Sequence, residues 1–272
     1  MDRLGDRARV SVGKGLKDDD PILRYMNFPQ FKDLFPNGLN LTKAARYAQD
    51  DPFEGEFIEL VYQITKNCIK RYDKTDSTAS LKEESRKVRE KSYVSCWTLS
   101  KYENVALWKI YGKDRNSIAL KTTIGKLKQA IESFLTTSSE YDACLIKSLK
   151  KQIVKVEYID HREMNQKDCR KHFVIPSAKI LHYKNIGYEY EGEVRVIFGW
   201  ELGCVDPAKL GEKCTIEISP KDFVTEIVVS PFAERWFYDL VQHEMGTHKM
   251  AELVKWSALN LKDNPGAYPN SN

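Results

Sequence analysis

Hydrophobic positions along the chain change period several times. A polar stretch ends at Asp18-Asp-Asp-Pro21. Ile22-Leu-Arg-Tyr-Met26 then reads as a short strand, and Phe28–Phe35 as a helix. Pro36-Asn-Gly38 is a turn signal, Leu39-Asn-Leu41 a further strand, and Asp50-Asp-Pro52 breaks the chain before an amphipathic run from Phe57 to Tyr72. Asp73–Ser80 reads as a loop. The pattern next predicts a strand at Tyr93–Thr98, a short helix at Asn104–Tyr111 and a strand at Ser117–Lys121, which together look like one unit. A long inserted helix fits Ile124–Gln152, with a break at Thr136–Ser139, and leads into a strand at Ile153–Ile159. The second half is strand-rich, with Glu193–Phe198, Cys214–Ile218 and Thr225–Val229, then helices from Glu234 to Met245 and around Ala251–Ala258. Strands and helices mix without a regular βαβ alternation. The predicted class is therefore α+β, a mixed and mainly antiparallel sheet core with flanking helices. The expected organisation is a flexible N-terminal arm over 1–20, one domain over 21–262 and a tail over 263–272.

Composition narrows the function classes. The 272 residues are 42% hydrophobic and 30% charged, which suits a globular protein and argues against collagen-like, disordered or membrane-embedded classes. No apolar run approaches the roughly 20 residues of a membrane span, and Met1–Asp20 lacks the apolar segment of a signal peptide. Six cysteines, Cys68, Cys96, Cys144, Cys169, Cys204 and Cys214, form no CxxC pair and read as reduced thiols. The expected location is the cytoplasm, without membrane contact. Net charge is +4, but its distribution is uneven. Residues 66–91 carry nine Lys/Arg against five Asp/Glu, and residues 147–172 carry eight against four. Such segments suit either a solvated helix face or phosphate contacts with nucleic acid.

Several familiar sites are excluded on spacing. Val12-Gly-Lys-Gly15 is not a P-loop, and no GxGxxG follows a strand, which removes a Rossmann hydride-transfer enzyme. His243 and His248 lie five apart, about 140° around a helix, so they do not share a zinc-binding face. His161, Cys169 and His172 match no standard metal spacing, and no nucleophile elbow is present. No bound metal or cofactor is expected.

The informative stretch is Tyr188-Glu-Tyr-Glu-Gly-Glu-Val-Arg-Val196. If it is extended, Glu189, Glu191, Glu193 and Arg195 project from one face, with successive carboxylates about 7 Å apart. Repulsion would raise at least one pKa unless an arginine or a ligand compensates. Gly192 would allow a close approach or a bulge that re-aims a carboxylate. The alternative is an edge strand whose charges face solvent and block aggregation, and both readings stand. Asp50, Asp51 and Glu54 surround Pro52 and Phe53, as in a helix-start turn or a cleft rim. Ser95-Cys-Trp-Thr98 with Glu103, Trp108 and Tyr111 combines aromatic surface with hydroxyls, which suits a flat ligand or a core.

Taken in order, Leu23-Arg-Tyr25, Asp51-Pro-Phe-Glu54, Val94-Ser-Cys-Trp97, Leu107-Trp-Lys-Ile-Tyr111, Tyr190-Glu-Gly-Glu-Val-Arg195 and Ile227-Val-Val-Ser-Pro-Phe-Ala233 resemble the bacterial domain-of-unknown-function family 2971, over roughly residues 22–260. That resemblance implies no activity. A more distant one does. Arg24, then Ser95 with Thr98, then Glu191-Gly-Glu193 followed by Val-Arg-Val is similar to the order of elements in ADP-ribosyltransferases of the Arg–Ser–Glu type. Ser-Cys-Trp-Thr departs from that family's Ser-Thr-Ser, and the interval from Ser95 to Glu193 requires an insertion. The resemblance implies that NAD is a consumed substrate, with an oxocarbenium-like state stabilised by a carboxylate. On that basis Glu193 would support the developing charge and Glu191 would orient the acceptor. Arg24 would hold phosphate or ribose, Ser95 would brace the glutamate, and Trp97 or Tyr93 would stack on nicotinamide. Tyr25, Thr98, Trp108, Tyr111 and Arg195 complete the expected substrate-binding set, with Asp51 and Glu54 nearby.

Three functions follow as expectations. The first is an NAD-consuming ADP-ribosyltransferase-like protein, a toxin or phage-defence effector, modifying a protein or nucleic-acid acceptor. The second is a non-catalytic module of a defence or regulatory system that uses the aromatic-acidic cleft for a ligand and the basic stretches for a partner. The partners considered across these readings are NAD or a nucleotide-like ligand and a protein or nucleic-acid acceptor. The third is a nucleic-acid-processing enzyme with Asp50, Asp51, Glu54 and Glu193 on a divalent metal.

Overall fold

A computed structural model describes residues 8–49, 51, 54–55, 77–138, 146–160, 162–163, 178–200 and 211–260. In chain order the strands are β1 (Ser11–Val12), β2 (Pro21–Asn27), β3 (Leu39–Lys43), β4 (Tyr93–Leu99), β5 (Ser117–Thr123), β6 (Lys150–Lys155), β7 (Glu157–Ile159), β8 (Tyr183–Asn185), β9 (Glu193–Gly199), β10 (Lys213–Ile216), β11 (Glu226–Val229) and β12 (Val254–Trp256). The α-helices are α1 (Phe28–Asn37), α2 (Ser77–Lys91), α3 (Val105–Tyr111), α4 (Ile124–Thr137), α5 (Pro220–Phe223) and α6 (Arg235–Thr247). Among the described residues most strand pairs are antiparallel, and the class is α+β as the pattern predicts.

The chain divides into two compact units. The first comprises 1–15, 40–96 and 135–215; the second comprises 16–39, 97–134 and 216–272. In the first, β9 lies between β6 and β4, with β3 on β4 and β10 on β3. The β6–β9 register runs from Lys150↔Gly199 to Lys155↔Val194. Every residue of β9 is buried, as expected of a strand with neighbours on both edges and cover on both faces. Within the stretch expected to be a polar arm, Ser11–Val12 pairs parallel with Gln152–Ile153.

In the second unit β2 pairs over its whole length with β5, from Pro21↔Thr123 to Asn27↔Ser117. On the other side of β5 lies β11, with β12 beyond it. Leu23, Tyr25, Leu107, Trp108, Ala119 and Val228 form the core that seats α3 on this sheet. Burying each large apolar side chain contributes about 1.5–3 kcal/mol. Asn27 caps α1 in a reciprocal capping box with Gln30, and Asn104 caps α3 by accepting from the Ala106 and Leu107 N–H groups.

The elements differ from expectation at four places. Helix α4 ends at Thr137, where the break was anticipated, and the following strand starts at Lys150, so no helix reaches Gln152. Thr136, Thr137 and Ser138 supply the β-branched and hydroxyl side chains that compete with helix at this point. Helix α2 begins at Ser77, inside the expected loop 73–80. Ala251–Leu253 is a single 3-10 turn, because Val254–Trp256 instead extends the sheet parallel to β11. The stretch 186–191 is a 3-10 helix, so the alternation expected across 188–196 starts only at Glu193. The amphipathic run 57–72 and the metal candidates His161, Cys169 and His172 lie outside the described residues. His248 follows α6 with its ring stacked on Phe35 at 4.3 Å. Among the described residues no helix is long and apolar enough to cross a membrane.

Candidate functional site

The acidic stretch singled out in the sequence folds as a turn feeding a buried strand. Asn185 starts the 3-10 turn by accepting from the Gly187 N–H at 2.9 Å. Gly192 closes it in the left-handed region, at φ 51° and ψ 46°. This bend breaks the period of two. Glu189 stays exposed, whereas Glu191 and Glu193 are both buried. The edge-strand alternative is therefore overturned, since β9 is an interior strand and its charges do not face solvent.

Arg195 organises the cluster. Its Nε and Nη2 donate to the two oxygens of Glu193 at 2.8 and 3.0 Å, and Nη1 and Nη2 donate to the two oxygens of Glu54 at 2.5 and 2.8 Å. The remaining Nη1 donor reaches the Leu181 carbonyl at 2.8 Å. All five guanidinium N–H groups therefore have acceptors, in two opposed forks. Lys184 joins from β8, 2.6 Å from Glu191 Oε2 and 3.4 Å from Glu193 Oε2, with its ammonium over the Tyr188 ring. The Tyr158 hydroxyl accepts the Glu193 backbone N–H at 2.7 Å.

Electrostatics follow from this packing. Burial alone would raise the Glu193 pKa; Arg195, Lys184 and the Cys96 thiol overcome it and hold the carboxyl at about 2. Burial likewise opposes the charge on Lys184, yet Glu193 and Glu191 raise its pKa above the ordinary lysine value. Burial, then the Glu193 charge, push the Cys96 thiol well above its usual range. The repulsion anticipated between the carboxylates is thus removed by two cations, one of them unforeseen. At neutral pH Glu193 is an ionised acceptor with both oxygens engaged, and it has no proton to donate.

The other expected residues divide between the units. Glu54, Glu191, Glu193 and Arg195 converge in the first unit, with buried Asp51 beside them, its carbonyl accepting the Glu54 N–H at 3.0 Å; Ser95 is buried on β4, but the side chain of that strand that reaches Glu193 is its neighbour Cys96. Asp50 lies outside the described residues. Among the described residues no group of three His, Cys, Asp or Glu side chains is arranged to hold a metal ion. In the second unit the Arg24 guanidinium lies 5.8 Å from the Trp97 ring. Tyr25 packs edge-on against Trp108 at 4.9 Å, and its hydroxyl accepts the Asn104 N–H. Thr98 pairs with Leu23. Trp97 and Trp108 are core side chains, whereas Tyr111 is exposed. Lys184 was missed because its tripeptide carries no motif; only the excess of buried acids would have called for it.

A second feature escaped the sequence. Trp108, Lys109, Lys113, Asp114, Arg115 and Phe232, all in the second unit, line a cavity of ≈ 430 Å³. Behind α3 the chain turns sharply. A Cβ on Gly112 would meet the Trp108 carbonyl oxygen at 2.4 Å, and Lys113 adopts φ 62°, a conformation rare for residues with a side chain. Asp114 Oδ1 accepts the Asn116 N–H at 2.7 Å, so the cavity's one carboxylate is bonded to its own loop. Lys113 and Arg115 are exposed, and neither forms an ion pair among the described residues. The run Gly112-Lys-Asp-Arg115 beside an aromatic helix was the available signal.

In the described part of 66–91, Arg86 pairs with Glu83 and Glu90 and Lys87 with Glu84 along the helix, while Arg89 donates to the Gly55 carbonyl and the Lys91 ammonium lies over the Trp200 ring. No curated protein and no solved structure matches the chain. Residues 107–196 match the family model described as Protein of unknown function (DUF2971), a span that runs from α3 through Glu191, Glu193 and Arg195, and the likeness to that family is carried by this third of the chain.

Proposed function

We propose that this chain is a ligand-binding module whose working surface is the cationic cavity of the second unit, while the acidic cluster of the first unit holds the fold together. One observation carries the reading. The acidic side chains near Glu193 are engaged inside the protein, whereas Lys113 and Arg115 face solvent beside a cavity with their charges uncompensated among the described residues. Exposed cations around a concave site raise the local concentration of anions and form charge-assisted hydrogen bonds with them. The test is calorimetric titration with pyrophosphate. Saturable binding that weakens as salt rises, and weakens about tenfold or more in Arg115→Ala, is expected. Absence of binding at low salt, or identical binding by the variant, contradicts the reading.

The NAD-consuming transferase is the second reading. What supports it is the type of element that carries each residue: Arg24 and Ser95 on strands, and Glu191-Gly-Glu193 as a turn entering a strand. The reaction would need Glu193 to exchange its pairing with Arg195 for a ribose hydroxyl. Incubation with NAD tests it. Nicotinamide release by the native protein that is lost in Glu193→Gln supports the reading, and no release above buffer removes it.

A further inference from the structure

We propose that the cavity beside α3 takes a nucleoside diphosphate, with the base against Phe232 and the diphosphate between Lys109, Lys113 and Arg115. The assignment rests on the binding-module reading and names its ligand. Three cations and one carboxylate line the cavity, and that carboxylate is turned onto the Asn116 N–H. The excess of positive charge exceeds what a single carboxylate ligand would neutralise, and the three cations stand on separate side chains that can divide between two phosphate groups.

The remaining wall is aromatic. Phe232 is 37% exposed, and its backbone is held by the Ser230 hydroxyl, which accepts the Phe232 N–H at 3.2 Å, while the Ser230 carbonyl accepts the Ala233 N–H. The ring is thereby presented from a fixed turn. The Lys109 ammonium lies over the ring, 5.9 Å from its centroid, so a base stacking on this face would take its place and turn the ammonium towards the phosphates. Trp108 backs the cavity; its indole N–H donates to Glu103 at 3.0 Å, and Glu103 in turn accepts the Ala258 N–H at 2.9 Å. A volume of ≈ 430 Å³ lies in the range of small-molecule sites, about 300–1,000 Å³. A bare anion would leave the ring unused, whereas a base would stack on it, a contact that every base can make.

Lys113 gives the loop a second sign of function. Its left-handed backbone is a strained choice for lysine, and the turn it makes points a charged residue to the cavity where asparagine or glycine would be conformationally easier.

Calorimetry with the full chain separates the alternatives, using ADP, pyrophosphate, adenosine and phenyl phosphate. ADP is expected to bind about tenfold or more tightly than pyrophosphate or adenosine. Phe232→Ala should bring ADP down to the pyrophosphate level. Lys113→Asn, which keeps the left-handed backbone, and Arg115→Ala should each weaken ADP binding about tenfold. Pyrophosphate binding as tightly as ADP, with Phe232→Ala indifferent, overturns the nucleotide assignment and leaves the anion-binding reading in place. Phenyl phosphate matching ADP overturns it in favour of a phosphoaryl ligand. ADP binding untouched by all three variants places the ligand elsewhere, and no binding of either ADP or pyrophosphate overturns both readings.

Discussion

Arg195 commits every one of its guanidinium N–H groups inside the protein, to two carboxylates and one carbonyl. A pair of this kind is desolvated, so its net contribution relative to a well-packed apolar substitute is small. Removing one partner is different, because Glu54 would then lose the cation it pairs with and Glu193 would keep only Lys184. Arg195→Met is expected to lose about 3–5 kcal/mol in urea unfolding, and Arg195→Lys to recover only part of it, since an ammonium cannot form two opposed forks. An Arg195→Met protein as stable as the parent would show that the cluster does not hold the fold. The same cluster predicts acid sensitivity in two steps. Burial, then the positive charges of Arg195, Lys179 and Lys150, lower the His182 pKa from 6.5 to about 4, so between those values the unfolded chain binds a proton that the native state refuses. Stability therefore falls as pH drops from about 6.5 towards 4. Glu193, held at about 2 against 4.5, favours the native state above 4.5 and withdraws that contribution as pH falls towards 2. Unfolding curves taken across pH 2–7 should show both windows, and His182→Gln should abolish only the upper one.

At the scale of elements, the turn into β9 decides where the acidic residues go. Gly192 at φ 51° allows the 3-10 turn to end and the strand to begin within one residue, which sends Glu191 and Glu193 inward and leaves Glu189 outside. Gly192→Ala should cost about 1–2 kcal/mol by chemical denaturation, the penalty of a Cβ in the left-handed region; an unchanged midpoint would argue against that conformation. The strands β2, β4, β5 and β9 were legible because aromatic and β-branched residues dominate them and turn residues bound them. The 3-10 turn at 186–191 was not. Its alternating Glu and Tyr residues imitate a strand, and only the left-handed glycine, which periodicity ignores, distinguishes the two. Similarly, the text of 251–258 allows a helix, but pairing with β11, a long-range interaction, captures 254–256. The convergence of Glu193 with Arg195 could be read from their spacing; Glu54 and Lys184 arrive from distant elements with no local mark.

On the scale of the whole molecule, charge is used in two opposite ways. In the first unit three buried carboxylates are paired with buried Arg195 and half-buried Lys184. In the second unit Lys113 and Arg115 remain at the surface of a cavity with an aromatic wall. Composition reports only a net +4 and cannot distinguish these uses. The most direct test follows the Nε–H resonances of Arg115 and Arg195 by nitrogen-15 NMR while pyrophosphate is added, with Arg115→Lys and Arg195→Lys proteins identifying the two signals. The Arg115 signal is expected to shift saturably while that of Arg195 stays fixed. A shifting Arg195 signal with a static Arg115 signal would contradict the division between a structural cluster and a binding cavity.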